Sequence, residues 1–291
     1  MKSRFCFNIS FYENIKNLIS ILFHKKKNEN ENLEYELSKI YNHSNFYFFD
    51  YGRTALYEIL KNIKKKTNKR KILINSLTLF EVVNVIIYSG FKPVFVDNKN
   101  KSFDTEIDLN NYKNDINDIA VIIITHLNGA NSNIFSIAKQ IQDHNKINEK
   151  IYLVEDCAVS LGAEANSKKV GTFGDYSFLS FNLMKNITCY TGGVLIDNFK
   201  SLKNIEKHNY KELSKIKIMN KIIFTLILQI LNSKVFFPFF FYIIKFSHKF
   251  SINFFLRKYR TDFKVVIEEK FPEKFSYFMH SFQKKILVNQ F

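Results

Sequence analysis

Two ionisable side chains between Val154 and Asn198 have the surroundings that chemistry on a carbonyl group requires. Asp156 ends the apolar run IYLVED, where a carboxylate is costly unless it meets a cation or several hydrogen-bond donors. Lys185 follows the apolar run YSFLSF and precedes Gly192-Gly193. Burial lowers the pKa of a lysine and makes its amine nucleophilic. We therefore predict that Lys185 forms a Schiff base with a cofactor whose protonated ring nitrogen pairs with Asp156.

Two further groups are suited to hold a phosphate. Ser180 lies shortly before Lys185 and offers a hydroxyl, and Gly52-Arg53-Thr54 opens a helix after a turn glycine. Free N–H groups at a helix N-terminus bind anions. Together these groups match the requirements of pyridoxal 5'-phosphate. Each signal alone also has a structural explanation: a cap for Gly52-Arg53-Thr54, a turn for Asp156 and a solvated side chain for Lys185.

These residues lie in alternating strand-like and helix-like segments, which is typical of an α/β fold with a mostly parallel sheet. Ligands of such sheets bind at the carboxyl ends of strands. His126 is one strand-end residue, and both a structural role and a position facing the site remain open for it. The segments predicted as strands are 71–75, 93–97, 121–126, 151–156, 176–181 and 194–197, and those predicted as helices follow Gly52 or span 80–88 and 134–144.

The flanks of this central region differ from it. We predict a polar, helical segment at 1–50, a cofactor-binding α/β domain at 51–200 and a helical, apolar-aromatic tail at 201–291. Within the tail, residues 222–246 are strongly apolar, but Lys234 and Pro238 interrupt them before either half reaches the ~20 residues of a membrane-spanning helix. The segment is therefore either a buried helix pair or a surface that contacts a membrane or another protein.

The net charge of +16 over 291 residues does not by itself indicate a nucleic acid partner. The basic residues are thirty-eight lysines and only five arginines, whereas proteins that read nucleic acid grooves rely on arginine. Apolar residues make up 46% and charged residues 24% of the chain, which excludes an intrinsically disordered or collagen-like protein. We expect a globular protein that does not bind nucleic acid.

The cysteines bear on the compartment and on metal binding. Cys6, Cys157 and Cys189 have no metal-type spacing, and Asn8, Ser10 and Glu13 interrupt any secretory apolar region. An odd number of cysteines without a disulfide framework is typical of a reducing compartment. We expect a cytoplasmic protein without a metal site.

Six segments, in their order along the chain, resemble the DegT/DnrJ/EryC1/StrS family of pyridoxal-phosphate-dependent nucleotide-sugar aminotransferases. The resemblance implies the aspartate-aminotransferase-like (type I pyridoxal phosphate) fold, in which an α/β large domain precedes a small C-terminal domain. It also implies a homodimer with shared active sites. The segments are GRTAL, SLTLFEVVNVIIYSGFKPVFVD, THLNG, VEDCAVSLGAE, GTFGDYSFLSFNLMKN and GGVLIDN.

The resemblance also implies roles for individual residues. Lys185 matches the Schiff-base lysine, Asp156 the partner of the ring nitrogen, Ser180 the phosphate hydroxyl, and Arg53 and Thr54 the backbone phosphate contact. Related sugar dehydratases have histidine at the lysine position, so Lys185 favours amino transfer. The implied reaction carries an amino group from an amino acid, expected to be glutamate, to a keto-sugar nucleotide in surface polysaccharide or lipopolysaccharide sugar synthesis.

Several positions near the expected cofactor depart from the family pattern, among them Thr191, where a glutamate is common. Leu79 replaces a common ring-stacking aromatic residue, although Phe80 is adjacent to it. Val159 replaces a common glutamine or histidine, and Asn182 a common histidine. These departures predict weaker or altered cofactor binding. We also expect most of the small C-terminal domain to be missing and replaced by the helical tail.

Two alternatives to an aminotransferase remain. A non-catalytic relative would keep the fold, and with it cofactor or partner binding, without turnover. A membrane-surface interaction protein would instead use residues 222–246 and the lysine excess, and would be a cytoplasmic protein that associates with membranes.

Overall fold

A computed structural model gives the fold of the chain. The chain divides into two compact units. We call residues 26–213 with 268–291 the sheet unit, and residues 1–25 with 214–267 the helical unit. Cys6 and parts of the predicted tail lie outside the described residues. The structure describes residues 7–25, 29–41, 44–98, 102–127, 129–131, 133–202, 205, 210–249 and 270–291.

The sheet unit is built around a mixed sheet of nine strands in the order β10-β11-β1-β9-β8-β5-β4-β2-β3. Its centre is parallel, because β3, β2, β4, β5 and β8 all run in the same direction. Strand β9 pairs in antiparallel fashion with β1 on one side and with β8 on the other. Strands β6 and β7 form a separate hairpin. The strands are β1 Asn45–Phe49, β2 Lys71–Asn75, β3 Lys92–Val96, β4 Ile119–Thr125, β5 Tyr152–Asp156, β6 Glu164–Ala165, β7 Lys168–Lys169, β8 Tyr176–Ser180, β9 Gly193–Asp197, β10 Lys211–Glu212 and β11 Tyr277–Phe278.

Helices cover both faces of this sheet. Alternate side chains of β2 divide between two cores, with Ile72 and Ile74 packing beside α3 and α4 and Leu73 packing beside α5, as the period of two in a strand requires. All seven residues of β4 are buried, which is typical of a strand covered on both sides. The helices of this unit are α2 Asn30–Ser38, α3 Gly52–Lys64, α4 Phe80–Tyr88, α5 Ile134–His144 and α8 Ser281–Val288.

The helical unit contains α1 Phe11–Phe23, α6 Lys215–Leu231 and α7 Phe237–Lys249. A capping box of Ser10 and Glu13 begins α1, and Ser214 caps α6. Pro238 lies in the first turn of α7, a position where its missing N–H costs little. Among the described residues, no helix is both long and apolar enough to cross a bilayer.

The structure confirms the predicted α/β fold with a mostly parallel sheet. Helices α4 and α5 and strand β2 have the predicted bounds. Strands β5, β8 and β9 differ from prediction by one residue at one end, and β3 and β4 by one or two residues at both ends. Strand β1 was not predicted, because residues 1–50 were assigned to helices. β1 pairs with β9 and β11, which lie far along the chain, so periodicity within the segment does not reveal them.

Candidate active site

Asp156 lies at the carboxyl end of β5, near the middle of the sheet. Its side chain is buried, and its Oδ1 accepts the N–H of Ala158 at 3.0 Å. Burial raises the pKa of Asp156, while the Ala158 N–H and the charge of the nearby Lys185 lower it. The carboxylate therefore lacks enough compensation from the protein alone and is suited to a cationic ligand group.

Lys185 lies in a tight turn after β8, where its N–H donates to the carbonyl of Asn182 at 3.0 Å. Burial lowers the pKa of the Lys185 amine, and the charge of Asp156 opposes that shift. The structure thus brings together the two groups that the sequence predicts, although they are far apart in the chain. A lysine with a lowered pKa is a nucleophilic amine.

Ser180 and the N-terminus of α3 meet beside this turn. A Cβ added at Gly52 would lie 3.2 Å from the Cβ of Ser180 and 3.0 Å from the carbonyl oxygen of Leu179. At Gly193, an added Cβ would overlap the peptide that joins Tyr51 to Gly52. The two glycines therefore let the helix N-terminus approach Ser180 closely, an arrangement that is suited to bind an anion.

The side chains of Arg53 and Thr54 have other partners. The Thr54 hydroxyl donates to the carbonyl of Phe275 at 2.9 Å, and its N–H donates to the carbonyl of Tyr51 at 3.1 Å. Both donors of Thr54 are thus engaged within the protein, and its contact with the phosphate stays a prediction. The Arg53 guanidinium lies 4.4 Å from the centre of the Phe275 ring and 3.6 Å from Oε1 of Glu81. The first N–H groups of α3 have no partner within a helix and are suited to hold an anion.

Leu79, Phe80 and Val159 occupy less enclosed positions. Leu79 precedes the first residue of α4 and is 58% exposed, and Phe80 in the first turn is half-buried. Val159 is 44% exposed and follows Asp156 by three residues. It lines a small cavity together with Ser180 and Lys185. The predicted contacts of these residues with the cofactor stay predictions.

Asn182 shapes the turn that holds Lys185. Its carbonyl accepts the Lys185 N–H, and its Oδ1 accepts the N–H of Leu183 at 2.9 Å. The side chain is exposed. Asn182 thus has a structural role in this position, and its contact with the cofactor stays a prediction.

Glu155 was not predicted from the sequence. Its buried carboxylate binds the backbone of the loop at Gly171–Gly174. Its two oxygens accept the N–H groups of Gly171, Phe173 and Gly174, each at 2.7 Å. His126 is also fully buried, with its Nε2 3.1 Å from Oε2 of Glu155. The sequence feature that could have indicated this contact is the pair of glycines in GTFG, because glycines allow the loop backbone to come close to the carboxylate of Glu155.

The hydrogen bonds of His126 define its tautomer. Its Nδ1 accepts the N–H of Asn131 at 2.9 Å, so the proton lies on Nε2 and is donated to Glu155. This geometry supports the structural role that the sequence left open. The Sγ of Cys157 lies within 4.8 Å of the same ligand atoms. However, burial raises the pKa of its thiol, and Glu155 already accepts four donors, so the chemistry favours a hydrogen-bonded network over a metal site.

Thr125 adds a polar group on the Asp156 side of the site. It is the residue paired with Asp156 between β4 and β5. Its hydroxyl is buried and has no hydrogen-bond partner among the described residues. Buried polar groups normally have a hydrogen-bond partner. A buried hydroxyl without one, next to the carboxylate of Asp156, is suited to contact a polar ligand. The amine, the carboxylate, the glycine-lined anion site and this hydroxyl together fit a polar, phosphate-bearing cofactor such as pyridoxal phosphate.

Comparison with known families gives one consistent match. A sequence model of the DegT/DnrJ/EryC1/StrS aminotransferase family matches residues 12–212. This range contains Asp156, Ser180 and Lys185, together with the N-terminus of α3.

Curated relatives match the central part of the chain. A GDP-perosamine synthase of Vibrio cholerae is 32% identical over 133 residues, which is 45% of this chain and 34% of that protein. A UDP-4-amino-4,6-dideoxy-N-acetyl-beta-L-altrosamine transaminase of Campylobacter jejuni is 31% identical over 137 residues, which is 46% of this chain and 35% of that protein. The matched region thus spans about a third of the length of these relatives.

Solved structures show the same fold. Helicobacter pylori PseC, an aminotransferase involved in the biosynthesis of pseudoaminic acid, superposes with a TM-score of 0.60 at 20% identity. The superposition covers 75% of this chain and 62% of that one.

Proposed function

The chain belongs to the DegT/DnrJ/EryC1/StrS aminotransferase family, whose cofactor is pyridoxal 5'-phosphate, and we propose that it transfers an amino group from an amino acid to a keto-sugar nucleotide. The observation that carries this proposal is the position of the Lys185 amine. It lies close enough to Asp156 for each charge to shift the pKa of the other. The phosphate site formed by Ser180 and α3 adjoins the same turn.

Each residue of the site has a distinct task in this reaction. Asp156 would hold the cofactor ring nitrogen in its protonated form, and Ser180 with the N-terminus of α3 would hold the phosphate. When bound, pyridoxal phosphate supplies an electron sink for the carbon–hydrogen bond that is broken. The Lys185 amine would act as the general base that takes the proton from the α-carbon of the amino donor and, as its conjugate acid, would be the proton donor.

The substrate class is proposed from the relatives. Two of them are named for the synthesis of a GDP-linked or UDP-linked amino sugar. A keto-sugar nucleotide is the acceptor that such a reaction requires, and we propose glutamate as the amino donor. We propose that the product serves the synthesis of surface polysaccharide or lipopolysaccharide.

We also propose a cytoplasmic homodimer. Among the described residues, Cys157 and Cys189 are buried and form no disulfide, which supports a reducing compartment. The dimer rests on the resemblance to the family, and sedimentation of the purified protein tests it.

The non-catalytic relative is the second candidate. The exposed Leu79 and Val159 favour it, because neither supplies the ring stacking or the hydrogen bond expected at its position. Under this alternative the protein binds pyridoxal phosphate, but the bound cofactor does not react with an amino donor.

A two-step spectroscopic experiment separates the candidates. The full chain is loaded with pyridoxal phosphate, then glutamate is added, and finally a UDP-linked or GDP-linked 4-keto sugar. We expect glutamate to abolish the absorbance band of the lysine-bound cofactor and the keto sugar to restore it. A band that resists glutamate and every other amino donor would support the non-catalytic relative instead, and Lys185→Ala is the control without the band.

A further inference from the structure

The helical unit has a defined internal interface between α1 and α6. Ile218, Ile222 and Leu228 of α6 are buried, as is Ile21 of α1. The Asn14 amide donates to Oε1 of Gln229 at 2.8 Å. The amide of Gln229 in turn donates to the carbonyl of Ile9 at 2.7 Å. These contacts fix which side of each helix faces the other.

The other sides of these helices are also apolar, although they face solvent. The exposed residues of α1 recur at intervals of three or four, as on one helical stripe, and those of α7 do the same. A helix that is apolar on both sides is normally buried in a protein or a membrane. The exposed apolar residues are Phe11, Tyr12, Ile15, Ile19, Leu22 and Phe23 in α1, Ile216, Ile223, Phe224, Ile227 and Ile230 in α6, and Val235, Phe236, Phe239, Tyr242, Ile243 and Phe246 in and before α7.

The charges around these stripes all have one sign in α6 and α7. Residues 214–249 contain six lysines and no aspartate or glutamate. Lys217, Lys234 and Lys245 are exposed. Lysine side chains extend along apolar surfaces and place their amines at the polar boundary. The combination of apolar stripes, aromatic rings and lysines matches the physical requirements of binding to an anionic lipid surface.

We propose that the helical unit binds the surface of an anionic phospholipid bilayer, with the exposed apolar residues of α1, α6 and α7 entering the interface. The lengths of α6 and α7 and the lysines between and within them fit helices that lie along a bilayer. The absence of acidic residues from α6 and α7 favours an anionic lipid surface over a protein partner of mixed charge, because such a partner would also pair with acidic residues. The proposal goes beyond amino transfer and does not depend on the cofactor site.

This proposal revises the two interpretations of residues 222–246. Ile222, Thr225, Leu228 and Phe240 are buried, so part of the segment is indeed a packed helical element. The remaining face of the same helices carries the exposed residues. The lipid-binding surface also extends beyond the predicted segment, to α1 and the start of α6.

Flotation of the full-length protein with vesicles tests the proposal. One vesicle preparation contains phosphatidylserine and phosphatidylcholine, and the other contains phosphatidylcholine alone. We expect the protein to float with the anionic vesicles at low salt and to bind the neutral ones more weakly. The triple variant Phe236→Ser/Phe239→Ser/Phe246→Ser should lower the partition coefficient by roughly tenfold or more, because three rings no longer leave water.

A matched variant controls for the general loss of exposed aromatic rings. Phe103, Phe135 and Phe199 are exposed in the sheet unit, and their replacement by serine should leave flotation unchanged. Protein that stays in the soluble fraction with anionic vesicles at low salt would overturn the proposal. An equal loss in both triple variants would overturn it as well. A third result would also overturn it: neither the wild-type protein nor the Phe236/Phe239/Phe246 variant floats, and sedimentation shows a wild-type dimer that only this variant fails to form. A second copy of the chain would then cover this surface.

Discussion

The imidazole Nε2 of His126 lies 3.1 Å from Oε2 of Glu155, and both side chains are fully buried. Glu155 directly precedes Asp156 in β5, and His126 directly follows β4. The pair therefore joins the ends of two neighbouring strands to the loop at Gly171–Gly174, whose N–H groups bind the same carboxylate. Its position suits it to hold Asp156 in place without contacting the cofactor.

Replacing Glu155 by glutamine should destabilise the protein strongly. The amide would turn an N–H₂ group toward backbone donors that now bind a carboxylate, and it would remove the charge that His126 contacts. We expect the free energy of unfolding to fall by about 3 kcal/mol in urea titrations. Glu164→Gln is the matched control, since Glu164 is exposed and pairs with Lys169 at the surface, and it should cost about 1 kcal/mol or less. Equal losses in the two variants would contradict the role of Glu155.

Gly193→Ala should disrupt the phosphate site. The added methyl group would overlap the peptide between Tyr51 and Gly52 and displace the N-terminus of α3. We expect the affinity for pyridoxal phosphate, measured by equilibrium dialysis, to fall by roughly a hundredfold, as loss of two charge-assisted hydrogen bonds would cause. Gly129→Ala controls for backbone strain, because Gly129 has a φ of +94° but open space around it. That variant should lose about 1–2 kcal/mol of stability and keep its affinity.

The side chain of Arg53 should contribute to stability more than to cofactor binding. Its guanidinium lies over the Phe275 ring and beside Glu81, while in our proposal backbone N–H groups hold the phosphate. We expect Arg53→Met to cost about 1 kcal/mol of folding free energy and to change the dissociation constant of pyridoxal phosphate by less than about threefold. A tenfold or larger loss of affinity would show that the guanidinium reaches the phosphate.

Asp156→Asn should stabilise the cofactor-free protein at neutral pH. Burial raises the pKa of Asp156 above its ordinary value of 3.8, so folding favours the protonated carboxyl. Its stabilising contribution is therefore present below 3.8 and is lost as the pH rises through the raised folded pKa. Because asparagine does not ionise, the variant should unfold at higher urea than wild type at neutral pH, and the two should converge in acid.

The exposed Asp143 provides a control of opposite sign for that prediction. Lys146, 2.7 Å away, lowers the pKa of Asp143, so its contribution is present above the unfolded pKa and is lost as the pH falls. Asp143→Asn should therefore be slightly less stable than wild type at neutral pH. A loss of stability in Asp156→Asn at neutral pH would contradict the direction given for that carboxyl.

The sequence predicted those features that depend on local pattern. Strand β2 and helices α4 and α5 follow from apolar periodicity, and the position of Asp156 at the end of β5 follows from a polar residue placed after an apolar run. The roles of Asp156 and Lys185 stay predictions. The missed features depend on residues that are distant in the chain. The Thr54 hydroxyl donates to a carbonyl 221 residues away. Glu155 of β5 contacts His126, which follows the neighbouring strand β4. No local sequence pattern identifies such partners, because the two residues of each pair come together only when the sheet has formed.

Identification of the lysine that holds the cofactor tests the central claim most directly. The full-length protein is loaded with pyridoxal phosphate, reduced with borohydride so that the attachment becomes permanent, and digested for peptide mass mapping. We predict that the label lies on Lys185 and that the Lys185→Ala protein carries no stoichiometric label. Stoichiometric labelling of a different one of the thirty-eight lysines, or unchanged labelling of Lys185→Ala, would contradict this account of the site.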